Sequence, residues 1–409
     1  PIQNIVVILE ELKIEIGVLQ KLKALFLTLL PSKILRNLSR FSGLNDVKPQ
    51  DEAVLLFTSG TENLPKGVPL THYNILSDQR ATVQSLALYS DDILLSNLPP
   101  FHSFGFTVTG VMPLILGMKT VFYPNPTDAK RIAKGIGKWQ PTILCSAPTF
   151  LKNILYAADS KSCVSLRLIV SGAEKAPEEL FHIIQDRCPQ VTFAEGYGIT
   201  ECSPVLTVNI EGDGGKGVGR AINGTFIQIV NPENHSESIA DGNTGLILVY
   251  GPQVFSGYLN KSVASPFVEK DNVSWYNTGD LGFLDNEKNL HLCGRLKRFI
   301  KVGGEMLSIG AVEDAIQKEF FHEDTSPLPL FAVVSYSDEQ SRPQLVLFST
   351  KSLELGQVNT KIRKQGLSNL VKVSRICQIE EIPMTATGKT AWRLLEQKLA
   401  YILEQEKAL

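Results

Sequence analysis

From about Asp51 onward, short apolar runs alternate with longer segments of helical period, and this alternation limits the possible folds more than any other feature. Ile93-Leu-Leu, Thr120-Val-Phe-Tyr, Thr142-Ile-Leu-Cys and Leu166-Arg-Leu-Ile-Val have the length of strands. Asp128 to Trp139 and Pro177 to Arg187, which lie among them, read as helices. Such an order predicts an α/β fold with a largely parallel sheet. Around Gly245–Gly257 and Val273–Leu292 the texture turns β-rich, with Gly, Asn and Asp turns. After Gly294 enough chain remains for a separate small α+β domain. The basic, glycine-flanked run Gly294-Arg-Leu-Lys-Arg-Phe-Ile-Lys301 reads as its linker. The expectation is a large N-terminal domain of mixed or parallel sheets and helices over 1–296. A small C-terminal domain over 297–409 is joined to it by a hinge, and 409 residues suffice for both.

The run Thr58-Ser-Gly-Thr-Glu-Asn-Leu-Pro-Lys-Gly67 follows the apolar stretch Ala53–Phe57, which is predicted as a buried strand. A strand that delivers hydroxyls, glycines and a lysine into a loop suits a polyphosphate. Hydroxyls and backbone N–H groups bond phosphate oxygens, and Lys66 adds positive charge. The spacing is not that of the common P-loop. Taken alone, the run reads better as a polar turn after a core strand.

Bulk properties narrow the class. Net charge is −2, so the basic excess of a nucleic-acid binder is missing. Cys145, Cys163, Cys188, Cys202, Cys293 and Cys377 form no C-x-x-C pair, and no His completes a zinc pattern. Reduced thiols in a cytoplasmic protein are expected. Ile5 to Leu30 is apolar but carries Glu10, Glu11, Lys13, Glu15, Lys21 and Lys23, which rule out a bilayer span. An amphipathic helix packed on its own domain is preferred there. Peripheral association at the inner face of a membrane stays open as the alternative. Phe104–Phe122, with Lys119 as its one charge, is expected to be core.

Six further segments follow the loop in order: Pro100-Phe-His-Ser-Phe-Gly105, Ser171-Gly-Ala-Glu-Lys175, Glu195-Gly-Tyr-Gly-Ile-Thr-Glu201, Trp275-Tyr-Asn-Thr-Gly-Asp280, Gly294-Arg-Leu-Lys297 and Pro383-Met-Thr-Ala-Thr-Gly-Lys389. Together they resemble the adenylate-forming (AMP-binding) superfamily over roughly Asp51 to Lys398. Within it, Thr-Ser-Gly-Thr-Glu, Phe-His-Ser-Phe-Gly, Gly-Ala-Glu-Lys and Gly-Glu-Met-Leu-Ser are most similar to bacterial acyl–acyl carrier protein synthetases. That branch includes the ligase half of 2-acylglycerophosphoethanolamine acyltransferases.

The resemblance implies a chemistry and roles. A fatty acid would be joined to AMP with release of pyrophosphate, then passed to the pantetheine thiol of acyl carrier protein. ATP would be the co-substrate and Mg²⁺ the metal. Thr58, Ser59, Gly60, Thr61 and Lys66 would hold the β and γ phosphates. Thr200 would bond the α-phosphate and Glu201 would ligate Mg²⁺. Ala173 and Glu174 would form an adenine wall beside Tyr197, with a core tyrosine the disfavoured reading of Tyr197. Asp280 would bond the ribose hydroxyls and Arg295 the ribose or a phosphate. Lys389 would be the cation bridging carboxylate and α-phosphate, Lys297 the hinge, and Gly303 and Gly304 the pantetheine channel. His102 lies near the position of the acyl carboxylate and is balanced evenly against a structural histidine.

Departures temper the match. Glu62-Asn63 replaces the commoner Thr-Gly, a trait shared with the synthetase branch, and Lys297 stands where Asp is more frequent. The superfamily has a longer segment before the phosphate loop, so part of the large domain is expected to be missing. CoA as the acceptor keeps the same chemistry, and the basic run Arg295–Lys301 is a weak patch for an acidic carrier. A non-catalytic nucleotide- or acyl-binding relative is the reading from another class. Lys66, Glu201, Asp280, Arg295 and Lys389 argue against it. No His-x-x-x-x-Asp acyltransferase signature occurs.

Overall fold

The computed structural model describes residues 17–28, 30, 34, 47–58, 65–210, 217–302, 305–321, 328–338, 340, 342–368, 371–384 and 390–407. Ser59, Gly60, Thr61, Gly303, Gly304 and Lys389 lie outside them. The chain divides into two compact units, residues 1–51 and 52–409. Within the first, the part of the expected Ile5–Leu30 helix that is described is Val18–Thr28.

The second unit is built on a seven-stranded sheet. In spatial order its strands are Lys119–Phe122, Ile93–Ser96, Ile143–Ser146, Leu168–Gly172, Thr192–Gly198, Val205–Ile210 and Arg220–Ala221. The first five are parallel and the last two antiparallel. Parallel strands are covered on both faces, and alternate residues serve opposite cores. Leu144 and Ile169 enter the cluster with Ile132, Leu151 and Leu180. Their neighbours Ile143, Cys145, Leu168 and Val170 enter the cluster with Leu94, Val108 and Met112 on the other side. Burial pushes the Cys145 thiol up to about 12, which leaves it inert packing.

The predicted helices form for local reasons. Ala129–Trp139 starts where Asp128 accepts from the Arg131 N–H at 3.1 Å, and it buries Ile132, Ala133 and Ile136 on one face. Glu178–Arg187 buries Leu180, Ile183 and Ile184. His72–Leu86 opens with a capping box between Thr71 and Asn74. Phe104–Phe122 is core only in part: it starts with a π-helical segment at Phe104–Val111 that buries Phe104, Thr107, Val108 and Thr109, whereas Leu114, Ile115 and Phe122 are exposed.

The stretch Ala53–Phe57 differs from expectation. Glu52–Thr58 is a strand, yet only Leu56 is buried, while Leu55 and Phe57 are exposed. Among the described residues it pairs only with Lys66–Thr71, in a two-stranded antiparallel ribbon whose Leu56, Val68 and Leu70 face the core while Leu55 and Phe57 point the other way.

Five antiparallel strands form a second sheet, centred on the long strand Val273–Leu284. Its first half pairs with Phe267–Lys270 and its second half with Leu290–Arg295, while Gly245–Tyr250 runs along the other side. Beyond Arg295 the pattern becomes α+β. Phe299–Val302 pairs with Glu305–Ser308, and Phe331–Ser337, Pro343–Ser349 and Val373–Gln378 form a mixed three-stranded sheet. The expected linker is an ordered 3₁₀ turn at Leu296–Arg298, because Leu296 and Phe299 pack against Val230, Leu246, Leu248 and Leu281. No helix among the described residues is long and apolar enough to cross a membrane.

Candidate active site

In open α/β sheets, ligands settle outside the carboxyl ends of the parallel strands. Here His102 and Ser103 follow Ile93–Ser96, Ala173 and Glu174 follow Leu168–Gly172, and Thr200 and Glu201 follow Thr192–Gly198. At this edge Asn97 Oδ1, Ser146 Oγ and Ser171 Oγ are buried without a hydrogen-bond partner among the described residues. Orphaned polar atoms on three adjacent strands are the condition a polar ligand would relieve.

Tyr197, Asp280 and Arg295, drawn from three separate motifs, form one chain of contacts. The Tyr197 hydroxyl donates to Asp280 Oδ2 at 2.6 Å, and Arg295 Nε lies 3.3 Å from Asp280 Oδ1. Strand pairing dictates this, since Asp280 and Arg295 are cross-strand partners. The Asp280 N–H bonds Thr278 Oγ1 at 3.0 Å, and Thr278 in turn donates to the Ile247 carbonyl at 2.9 Å. The carboxylate is thus fixed to the sheet. Burial first, then the Asp280 charge, push the Tyr197 hydroxyl well above its ordinary range, so it stays a donor. Its ring packs with Leu206, Tyr258 and Tyr276.

A second set of contacts ties Lys66 to Glu201. Glu201 Oε1 accepts from the Tyr258 hydroxyl at 2.9 Å, and Lys66 Nζ lies 4.9 Å from the Tyr258 ring centroid. Backbone bonds from Phe255 N to Glu201 O and from Leu259 N to Gly67 O, both 2.9 Å, clamp the Tyr258 segment to each side. Thr58 is the cross-strand partner of Lys66, so the two described ends of the loop meet. Tyr258 was missed from sequence, where no motif marks it. Ser103 was also missed as a site residue; its Oγ lies 3.1 Å from Thr200 Oγ1.

The remaining predicted residues are placed as follows. Ala173 holds a φ of +71°, a left-handed conformation uncommon for alanine. Its neighbour Glu174 accepts from Thr149 Oγ1 at 2.7 Å. His102 Nδ1 accepts from the Phe104 N–H at 3.3 Å, which orients the ring locally. That loop is tight, since a Cβ on Gly105 would stand 1.9 Å from the Pro99 carbonyl oxygen. Lys297 is exposed on the Leu296–Arg298 turn, two residues past Arg295.

As a metal ligand Glu201 would act alone, since no three His, Cys, Asp or Glu side chains converge among the described residues. A lone carboxylate suits Mg²⁺, which keeps water and takes further oxygens from phosphates. It does not suit zinc.

Comparison with known proteins agrees with this geometry. A family model described as AMP-binding enzyme matches residues 9–259. The 4-coumarate–CoA ligase of Pinus taeda is 28% identical over 372 residues, covering 87% of this chain and 67% of that protein. The 4-coumarate–CoA ligase 1 of Solanum tuberosum is 29% identical over 371 residues, covering 87% and 66%. ATP-bound MatB from Rhodopseudomonas palustris shares the fold, with a TM-score of 0.74 at 24% identity over 86% of this chain and 69% of that one. So does the O-succinylbenzoate coenzyme A synthetase MenE from Bacillus subtilis in complex with ATP and magnesium ion. Its TM-score is 0.73 at 24% identity, over 86% of this chain and 71% of that one. The chain spans about two thirds of the length of these curated relatives. With more than half of its residues matched by that model, the chain belongs to the AMP-binding enzyme family, within the adenylate-forming superfamily that its motifs resemble.

Proposed function

We propose that this chain is an ATP- and Mg²⁺-dependent acid–thiol ligase acting through an acyl-adenylate. The observation that carries the reading is the convergence of Tyr197, Asp280, Arg295, Thr200, Glu201 and Lys66, from dispersed motifs, at the carboxyl edge of the sheet.

In the first half-reaction a carboxylate oxygen attacks the α-phosphorus of ATP, and the bond to pyrophosphate breaks. Two anions must meet, so cations and fixed dipoles carry the step. Lys66, with Thr58, Ser59, Gly60 and Thr61, holds the β and γ phosphates. Thr200, buttressed by Ser103, bonds the α-phosphate. Asp280 has lone pairs beyond those used by Tyr197 and Arg295 and accepts from the ribose, while Ala173–Glu174 and the Tyr197 edge flank the adenine. Glu201 would hold Mg²⁺, whose charge would offset that of the phosphates. Lys389 bridges the carboxylate and the α-phosphate, and His102 lies by the acyl group. In the second half-reaction residues 297–409 turn about Lys297 and Gly303–Gly304 line the thiol path. The thiol, losing its proton, attacks the acyl carbon and AMP leaves.

CoA is the acceptor best supported, because the curated relatives and MenE are named as CoA ligases or synthetases. The motif resemblance favours a fatty acid with acyl carrier protein as the second reading. The six unpaired cysteines fit a reducing, cytoplasmic setting. The test is acid-dependent ATP–pyrophosphate exchange, comparing fatty acids with hydroxycinnamic acids, followed by CoA or carrier protein as thiol. Exchange that requires Mg²⁺ and an acid supports the ligase. ATP binding without exchange for any acid points instead to a binding protein.

A further inference from the structure

The turn after Arg295 is gripped from two sides. Leu296 and Phe299 pack onto the five-stranded sheet, with Val230, Leu246, Leu248 and Leu281. Arg298, between them, engages the α+β region instead. Its Nη2 lies 2.6 Å from Glu313 Oε2, and its guanidinium carbon lies 3.6 Å from the Trp392 ring centroid. The two charged side chains are only 22% and 20% exposed. Glu313 belongs to the helix Ile309–Phe320, and its other oxygen accepts from the Val333 N–H at 2.9 Å. Trp392 opens the helix Trp392–Lys407. Just before it, the bridge between Met384 and Thr390 brackets the segment that carries Lys389.

One side chain, next to the proposed hinge residue, therefore holds two helices of the small region at once, Ile309–Phe320 and the helix that follows Lys389, while Glu313 passes the hold on to the strand Phe331–Ser337. We infer that Arg298 is a positioning residue, a strut that fixes the helix Trp392–Lys407 to the hinge so that rotation about Lys297 delivers Lys389, which precedes that helix in the chain, in one register. The inference rests on the ligase reading, in which Lys389 serves adenylation. A guanidinium is suited to the task because it can stack on an indole and fork to a carboxylate together, which an ammonium cannot. Arg298 sits outside the phosphate, ribose and metal contacts.

The test separates the half-reactions. In Arg298→Ala, adenylation measured by pyrophosphate exchange should fall about ten- to a hundred-fold. Thioester formation from supplied acyl-AMP should stay within about three-fold, ATP affinity should be unchanged, and Arg298→Lys should not rescue. If Arg298→Ala does not fold, Trp392→Leu, which keeps the pair with Glu313, carries the same test. With wild type active, equal loss of both half-reactions, full rescue by Lys, or no loss would overturn the strut alone. A wild-type chain that exchanges with no acid would overturn the ligase reading and the strut with it.

Discussion

Three adjacent parallel strands, Ile93–Ser96, Ile143–Ser146 and Leu168–Gly172, are preceded by Asp92, Thr142 and Arg167, and Asn97, Ser146 and Ser171 lie at their far ends. The two sets of polar groups are treated in opposite ways. At the first edge they satisfy one another. Arg167 bonds both Asp92 oxygens, Thr142 Oγ1 donates to Asp92 Oδ1 at 2.7 Å, and the Tyr89 N–H bonds Oδ2 at 2.9 Å. At the second edge the side-chain oxygens of Asn97, Ser146 and Ser171 find no partner among the described residues. One edge spends its polar groups on tying strands together, and the other leaves three buried side-chain oxygens unpaired. The proposed function places the ligand at the second edge, so stability and function would be separated along the same strands.

Substitutions at the two edges should break that separation if it is wrong. The largest effect is expected at Glu201→Gln, which keeps an acceptor for Tyr258 but removes the charge proposed to hold Mg²⁺. Pyrophosphate exchange should drop on the order of 10²–10³-fold with the melting temperature nearly unchanged. Next comes Asp92→Ala, which should cost about 1–3 kcal/mol in chemical denaturation while leaving the ATP affinity of the folded chain intact. The figure is below that of a fully buried pair because Arg167 is 37% exposed.

Asp92 also predicts a pH signature. Burial alone would raise its carboxyl, but the bonds from Arg167, Thr142 and Tyr89, with the Arg167 charge, hold it below the ordinary range. A group depressed on folding stabilises above its unfolded pKa, near 4, and loses that contribution as pH falls through the folded value. Wild type should therefore lose stability below about pH 4, and Asp92→Asn should lose less there. A smaller effect is expected at Tyr258→Phe, which keeps the ring beside Lys66 and loses the bond to Glu201. Exchange should fall about ten-fold with little change in stability. The smallest is at Ser171→Ala, where removing an unpartnered hydroxyl should shift stability by less than about 0.5 kcal/mol.

The sequence made local features legible. The helices over Asp128–Trp139 and Pro177–Arg187 and the runs of the parallel strands need only neighbouring residues, and they stand close to where expected. What depends on partners far along the chain was not legible. Leu55 and Phe57 look like core until the strand proves to have a single neighbour. Tyr258 meets Glu201 across 57 positions, and Ser103 meets Thr200 across 97. The linker reading of Arg295–Lys301 missed the packing of Leu296 and Phe299, because its charges hide two apolar anchors.

The central claim is that the carboxyl edge of the sheet binds the nucleotide and that the opposite edge does not. Equilibrium binding of ATP with Mg²⁺ to folded Asp280→Asn and Asp92→Asn, each compared with wild type, tests it directly. The account predicts a dissociation constant raised at least about ten-fold by Asp280→Asn and unchanged by Asp92→Asn. Equal affinity in Asp280→Asn and wild type would contradict it.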